Sequence, residues 1–125
     1  MIETLSDLPD GVVGFEAVGE IHSDDYSDVL LPALDRAAAS GDIRIVYVLG
    51  DRFEGYSAGA SWQDSKLAFE HHSKWRRAAI VTDVDWIRHL ASVFGWMVPG
   101  HFKLFHLAER SEAIEWAAAD ASRSS

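Results

Sequence analysis

The groups from which this chain could build a reactive centre are six histidines, twenty acidic side chains and eleven lysines and arginines; it has no cysteine. The missing thiol removes a cysteine nucleophile, a disulfide framework and any zinc or iron–sulfur site that relies on thiolates. A histidine metal site needs its ligands on one face, and the spacing does not supply it. His71 and His72 are adjacent, so in a helix they diverge by about 100°, and no His-x-x-x-His or Glu-x-x-His pair occurs. The closely spaced carboxylates, Asp24 with Asp25 and Asp83 with Asp85, stand where helices are expected to begin. There a negative charge meets free N–H groups and the helix dipole, which favours capping over general acid–base chemistry. No Gly-x-Ser-x-Gly elbow, phosphate loop or Gly-x-Gly-x-x-Gly is present. Gly55 and Gly59 precede an expected helix, a weak signal for anion binding. The residues spell no catalytic constellation, no metal site and no cofactor motif, so a binding module is expected rather than an enzyme.

Apolar and aromatic surface is the remaining means of binding. Residues 93–102 read Val93-Phe94-Gly95-Trp96-Met97-Val98-Pro99-Gly100-His101-Phe102, a helix exit with almost no charge, whereas surface connections are normally polar. Burial of one such side chain stabilises by about 1.5–3 kcal/mol. Phe94, Trp96 and Met97 therefore either close the core at the end of the sheet or form a lip. Such a lip could cover a pocket, enter a membrane interface or contact a second copy. Tyr56, Trp62, Phe69, Trp75 and Trp86 form a second aromatic set. At helical spacing such residues pack a core; if the second and third helices diverge, they line an apolar pocket between them. The candidate ligand-binding residues are Tyr56, Trp62, Phe69, Trp86, Phe94, Trp96, Met97 and Phe102.

The elements that must position these residues follow from periodicity. Residues 1–4 suit a short edge strand, and Asp7-Leu8-Pro9-Asp10-Gly11 is turn chemistry. Residues 12–19 alternate as a strand, with Val13, Phe15 and Ala17 on one face. Ser23 can cap a helix to about residue 39, whose apolar stripe is Tyr26, Val29, Leu30, Ala33, Leu34 and Ala37. Pro32 lies inside it and should kink it or loosen a turn. Residues 43–49 read IRIVYVL; apart from Arg44 they are continuously apolar, the pattern of a strand covered on both faces. A glycine-containing loop over 50–59 and a helix over 60–73 should follow. Residues 78–82 form another apolar strand, and Asp83 caps a helix with Trp86, Ile87, Leu90, Ala91, Val93 and Phe94 apolar. A strand over 102–107 and a helix over 109–119 close the order, and residues 121–125 are expected to fray. The order β-β-α-β-α-β-α-β-α predicts an α/β fold: a mostly parallel sheet of four to five strands with four helices.

Length and composition set the bounds. A chain of 125 residues, 48% hydrophobic, suits a single domain over 1–125 with a real core. The first residues do not resemble a signal peptide, and no run approaches the roughly 18 apolar residues of a spanning helix. A cytoplasmic protein is expected, with membrane contact limited to the periphery of the inner face. The net charge of −9 opposes nucleic-acid binding. It is unevenly placed: residues 1–60 hold 12 acidic and 3 basic side chains, residues 61–103 hold 4 and 6. The second segment is the less repulsive face toward an acidic lipid surface.

Several of these residues, taken in order, resemble a known family. Asp25-Tyr26 and Leu30-Leu31-Pro32-Ala33-Leu34 look like the first helix of the SpoIIAA-like proteins, bacterial relatives of STAS domains. The likeness continues through Phe53-Glu54-Gly55-Tyr56, Trp62, Asp64, Arg76-Arg77-Ala78-Ala79-Ile80-Val81, Trp86, Phe105, Ala113 and Trp116. The resemblance implies a four- or five-stranded sheet with helices mostly on one face, similar in fold to CRAL-TRIO lipid-binding domains, and a non-enzymatic role. It implies either a hydrophobic small molecule or lipid as ligand, with peripheral membrane association, or regulation by protein contact as in anti-anti-sigma factors. Those factors are switched by phosphorylation in an Asp-Ser-Ser/Thr-Gly motif, which is absent here. Ser57 is the nearest candidate for phosphorylation, and an N-cap is its competing role. Open sheet edges and aromatic patches make a homodimer a candidate assembly.

Overall fold

The computed structural model describes residues 1–6, 8–9, 11–56, 75–94 and 101–123. Two strands open the chain, β1 (Ile2–Thr4) and β2 (Val13–Ile21). A helical stretch then starts as Ser23–Asp25, widens to a π-helical turn over Tyr26–Leu30 and continues as α1 (Leu31–Ser40). Pro32 explains the break. It has no N–H to donate and its ring crowds the carbonyl four residues back, so the chain loosens before it. The regular helix restarts with Pro32 in its first turn, where the missing donor costs nothing. β3 (Ile43–Tyr56), β4 (Trp75–Thr82), α2 (Asp85–Phe94), β5 (His101–Phe105), a 3-10 turn (Leu107–Glu109) and α3 (Arg110–Arg123) follow.

The strands form one sheet in chain order, β1-β2-β3-β4-β5. The sheet is mixed, which corrects the expectation of a mostly parallel one: β1 runs antiparallel to β2, while β2–β3, β3–β4 and β4–β5 are parallel. The connection lengths give the reason. β1 and β2 are joined by a short turn, which can only return the chain antiparallel, whereas parallel neighbours need a long crossover. Three helices lie among the described residues where four were expected, and the one predicted over 60–73 falls outside them.

β3 runs past Leu49, where a loop was expected. Leu49 pairs with Ala17, the register then shifts, and pairing resumes at Phe53 with Gly19 and at Tyr56 with Ile21. Gly19, at φ +67°, accommodates the irregularity on β2, in a region that side chains with a Cβ rarely adopt.

Alternation along the strands divides the core between two faces. Phe15, Ala17, Ile45, Tyr47, Leu49 and Ala78 are buried beside Leu30 and Leu34 of the first helical stretch and Ile87 of α2. Val46, Val48, Ala79, Val81 and Phe105 are buried beside Ala113 and Ala117 of α3. Arg44 belongs to this second face and is buried. Its Nη1 donates to the Ala117 carbonyl at 2.8 Å. Arg77, opposite it on β4, donates to the Trp116 carbonyl at 2.7 Å and lies 4.8 Å from the Trp116 ring centre. Two arginines thus pin α3 to the sheet.

Candidate functional site

Because β2 to β5 are parallel, their carboxyl ends share one edge, the usual place for a binding site in an α/β sheet. The last residue of β4, Thr82, fixes the local backbone. Its Oγ1 donates to the Leu49 carbonyl at 2.8 Å and accepts from the Val84 N–H at 3.1 Å. Arg88 of α2 reaches back, and its Nη1 donates to the carbonyls of Thr82 at 2.9 Å and Phe105 at 3.1 Å. The ends of β4 and β5 are laced to the start of α2 in this way.

Asp83 joins the same edge to α3. Its Oδ1 lies 2.9 Å from His106 Nδ1 and accepts from the Leu107 N–H at 3.1 Å. The Leu107 N–H, followed by His106, holds the Asp83 carboxyl below the usual carboxylate range. Glu109 accepts the His106 N–H at 2.8 Å. An aspartate bonded to an imidazole is two-thirds of a catalytic triad, but no hydroxyl is bonded to the other ring nitrogen among the described residues. The demonstrable work of the pair is to fix the turn into α3.

Beside this lattice stand two aromatic rings. Trp86, in the first turn of α2, is 52% exposed. Its ring centre lies 6.3 Å from that of Phe53, tilted by 37°. Asp51, Glu54, Asp83 and Asp85, each within three residues of one of these rings along the chain, are all exposed. Arg52 turns instead toward Glu3 at 3.1 Å and Glu16 at 3.3 Å, and Glu16 chiefly raises its pKa.

Trp86 is the one predicted ligand residue whose side chain is described as exposed. Phe102 is partly buried and packs against the core beneath α1 and α2. Tyr56 ends β3 and Phe94 ends α2. Trp62, Phe69, Trp96, Met97 and Ser57 lie outside the described residues. Phe53, the partner of Trp86, is missed by sequence reasoning. Its signal was the alternation Asp51, Phe53 beyond Leu49, which the neighbouring glycines disguise as a loop.

An open crevice of ≈ 740 Å³ lies at the other end of β2. Leu5, Leu8, Val12 and Phe15 give it apolar walls, and Arg36 and Asp42 lie at its border. None of the predicted ligand residues lines it. Among the described residues no group of three or more His, Asp or Glu side chains could hold a metal ion, and no helix is long and apolar enough to cross a membrane.

The sequence profile of the SpoIIAA-like family matches residues 12–118. The chain belongs to the SpoIIAA-like family. A crystal structure of an uncharacterised protein of the DUF3478 family from Shewanella loihica PV-4, described as having a SpoIIAA-like fold, is similar to this SpoIIAA-like chain. The two share 28% identity over 93% of each chain, with a TM-score of 0.70. No curated protein matches the chain. The order of motifs from Asp25 to Trp116 thus pointed to the family correctly.

Proposed function

We propose that this SpoIIAA-like domain is a non-catalytic regulatory module that acts by binding another protein at the carboxyl edge of its sheet. The observation that carries the reading is Trp86. It stands half exposed against Phe53 at the edge where α/β folds place their sites. At an interface a tryptophan supplies a large apolar body and one N–H donor. The family relationship supports an interaction module in place of an enzyme.

The test compares immobilised wild type with Trp86→Ala for retention of proteins from the source cells. A partner held in stoichiometric amount by wild type and lost with Trp86→Ala is the expected result. Equal retention by both would remove Trp86 as the working surface.

A hydrophobic small molecule is the second reading, favoured by the crevice beside Leu5, Leu8 and Phe15, whose volume lies in the range of ligand pockets. Saturable binding of anilinonaphthalene sulfonate that Ala37→Phe abolishes would support it. Binding indifferent to that substitution would not. The membrane form of this reading stands on residues 93–102, of which 95–100 lie outside the described residues.

A further inference from the structure

We propose that the outer edge of β5 is a second binding surface, which adds to the sheet an extended protein segment with acidic and apolar residues in alternation. The inference goes beyond the Trp86 reading and does not depend on it. β5 is the last strand of the sheet, and among the described residues no strand pairs with its outer side. An edge strand offers a row of backbone N–H and C=O groups to any chain that can lie beside it. β5 is suited to this. It contains no proline, and its pairing with β4 runs from Arg77 with His101 to Val81 with Phe105 without a register shift.

The side chains along the edge select the added chain. His101 pairs with Arg77 and Lys103 with Ala79, so both stand on the face that α3 covers further in. Both are exposed. The Lys103 Nζ lies 5.1 Å from the Phe105 ring centre, and no carboxylate pairs with Lys103 or His101 among the described residues. Phe105 meets the Trp116 ring at 5.9 Å, and Trp116 carries the Arg77 guanidinium at 4.8 Å. Like charges at neighbouring sheet positions repel, and carboxylates set beside them relieve that repulsion. The opposite edge differs, because Glu3 of β1 is already paired with Arg52 at 3.1 Å. On the other face of β5, Phe102 and Leu104 are half-buried, so the residues between the acidic ones would be apolar. Side chains alternate about a strand, and one segment can meet both demands.

Charge also excludes other occupants. A lysine on an edge strand hinders pairing between copies of the same sheet. Two β5 strands pairing antiparallel about Lys103 would set that residue against itself. A nucleic-acid strand would approach a chain of net charge −9. A strand with a carboxylate at every second position turns repulsion into attraction, and an edge can in this way refuse one partner and admit another.

The experiment titrates ¹⁵N-labelled protein with acetyl-Glu-Val-Glu-Val-Glu-amide and follows the backbone amides. The expected result is a saturable shift centred on residues 101–105. Lys103→Glu should weaken this binding several-fold and should bind acetyl-Lys-Val-Lys-Val-Lys-amide, a gain that also shows the variant to be folded. Arg36→Glu, the same reversal at an exposed position of α1, should change binding of the acidic peptide less than twofold. Trp86→Ala should leave it unchanged, which separates this edge from the Trp86 surface. Equal weakening by Lys103→Glu and Arg36→Glu would reduce the effect to general charge and overturn the inference. Loss of the acidic peptide without gain of the basic one would overturn it too. So would shifts centred away from β5, an absence of saturation, dependence on Trp86, or a dimer of the chain alone whose contacts map to β5.

Discussion

Arg44 shows what a single residue can conceal in a sequence. In the run IRIVYVL it reads as a polar interruption of a buried strand. Its reason lies 73 residues away, at the Ala117 carbonyl that its Nη1 reaches from a buried position. Removing it leaves a cavity and an acceptor without its donor, so Arg44→Ala should lower stability by about 1–3 kcal/mol in chemical denaturation. Arg76→Ala, which breaks an exposed 3.1 Å pair with Asp42, should cost less than about 1 kcal/mol. Asp83 offers a pH test. Its pKa is lowered in the folded chain, so the carboxylate form favours folding above the ordinary carboxylate range. That contribution is lost as pH falls through the lowered value. Carboxyl NMR should find Asp83 titrating below the ordinary aspartate range, and Asp83→Asn should flatten the acid limb of the stability profile. Trp86 was legible as a candidate because a large aromatic near a helix start stands out. Phe53 was not, because its partner is brought to it only by the turn between β4 and α2.

The elements divide along the same line between local and distant causes. α1 and α2 were legible from apolar residues at helical spacing, and the break before Pro32 from the chemistry of proline. The overrun of β3 was not. Whether residues 50–56 form a loop or a strand depends on β2, whose Gly19 takes up the register shift. The same dependence gives an experiment. A Cβ at φ +67° is strained, and Gly19→Ala should destabilise by about 1–2 kcal/mol. Space is not the cause there, since the nearest atom to such a Cβ is Glu54 Oε2 at 3.9 Å. Gly14→Ala should be harmful for the opposite reason. A Cβ would meet Leu8 Cδ1 at 2.6 Å, Leu5 Cδ1 at 3.0 Å and Leu5 Cβ at 3.2 Å, so both leucine side chains must shift to admit it. Amide exchange should then quicken in residues 5–12 before it quickens in β3.

At the scale of the molecule, binding and stability are separable. Trp86 is half in water, so Trp86→Ala should shift Tm by no more than a few degrees while abolishing partner retention. A variant that loses both would mark Trp86 as structural. The order of strands in space is also their order in the chain, and this bears on how the molecule is made. No strand has to be threaded between two already paired, so during synthesis each new strand can dock on the edge left by the one before it. The covering of the two faces is less even in time. Leu30, Leu34 and later Ile87 reach their face early, but Val46, Val48, Ala79 and Val81 await Ala113 and Ala117 of α3. For most of its synthesis the nascent sheet therefore shows one wet apolar face. A ribosome stalled before α3 should present a species that binds chaperones, and release of the last helix should end that binding.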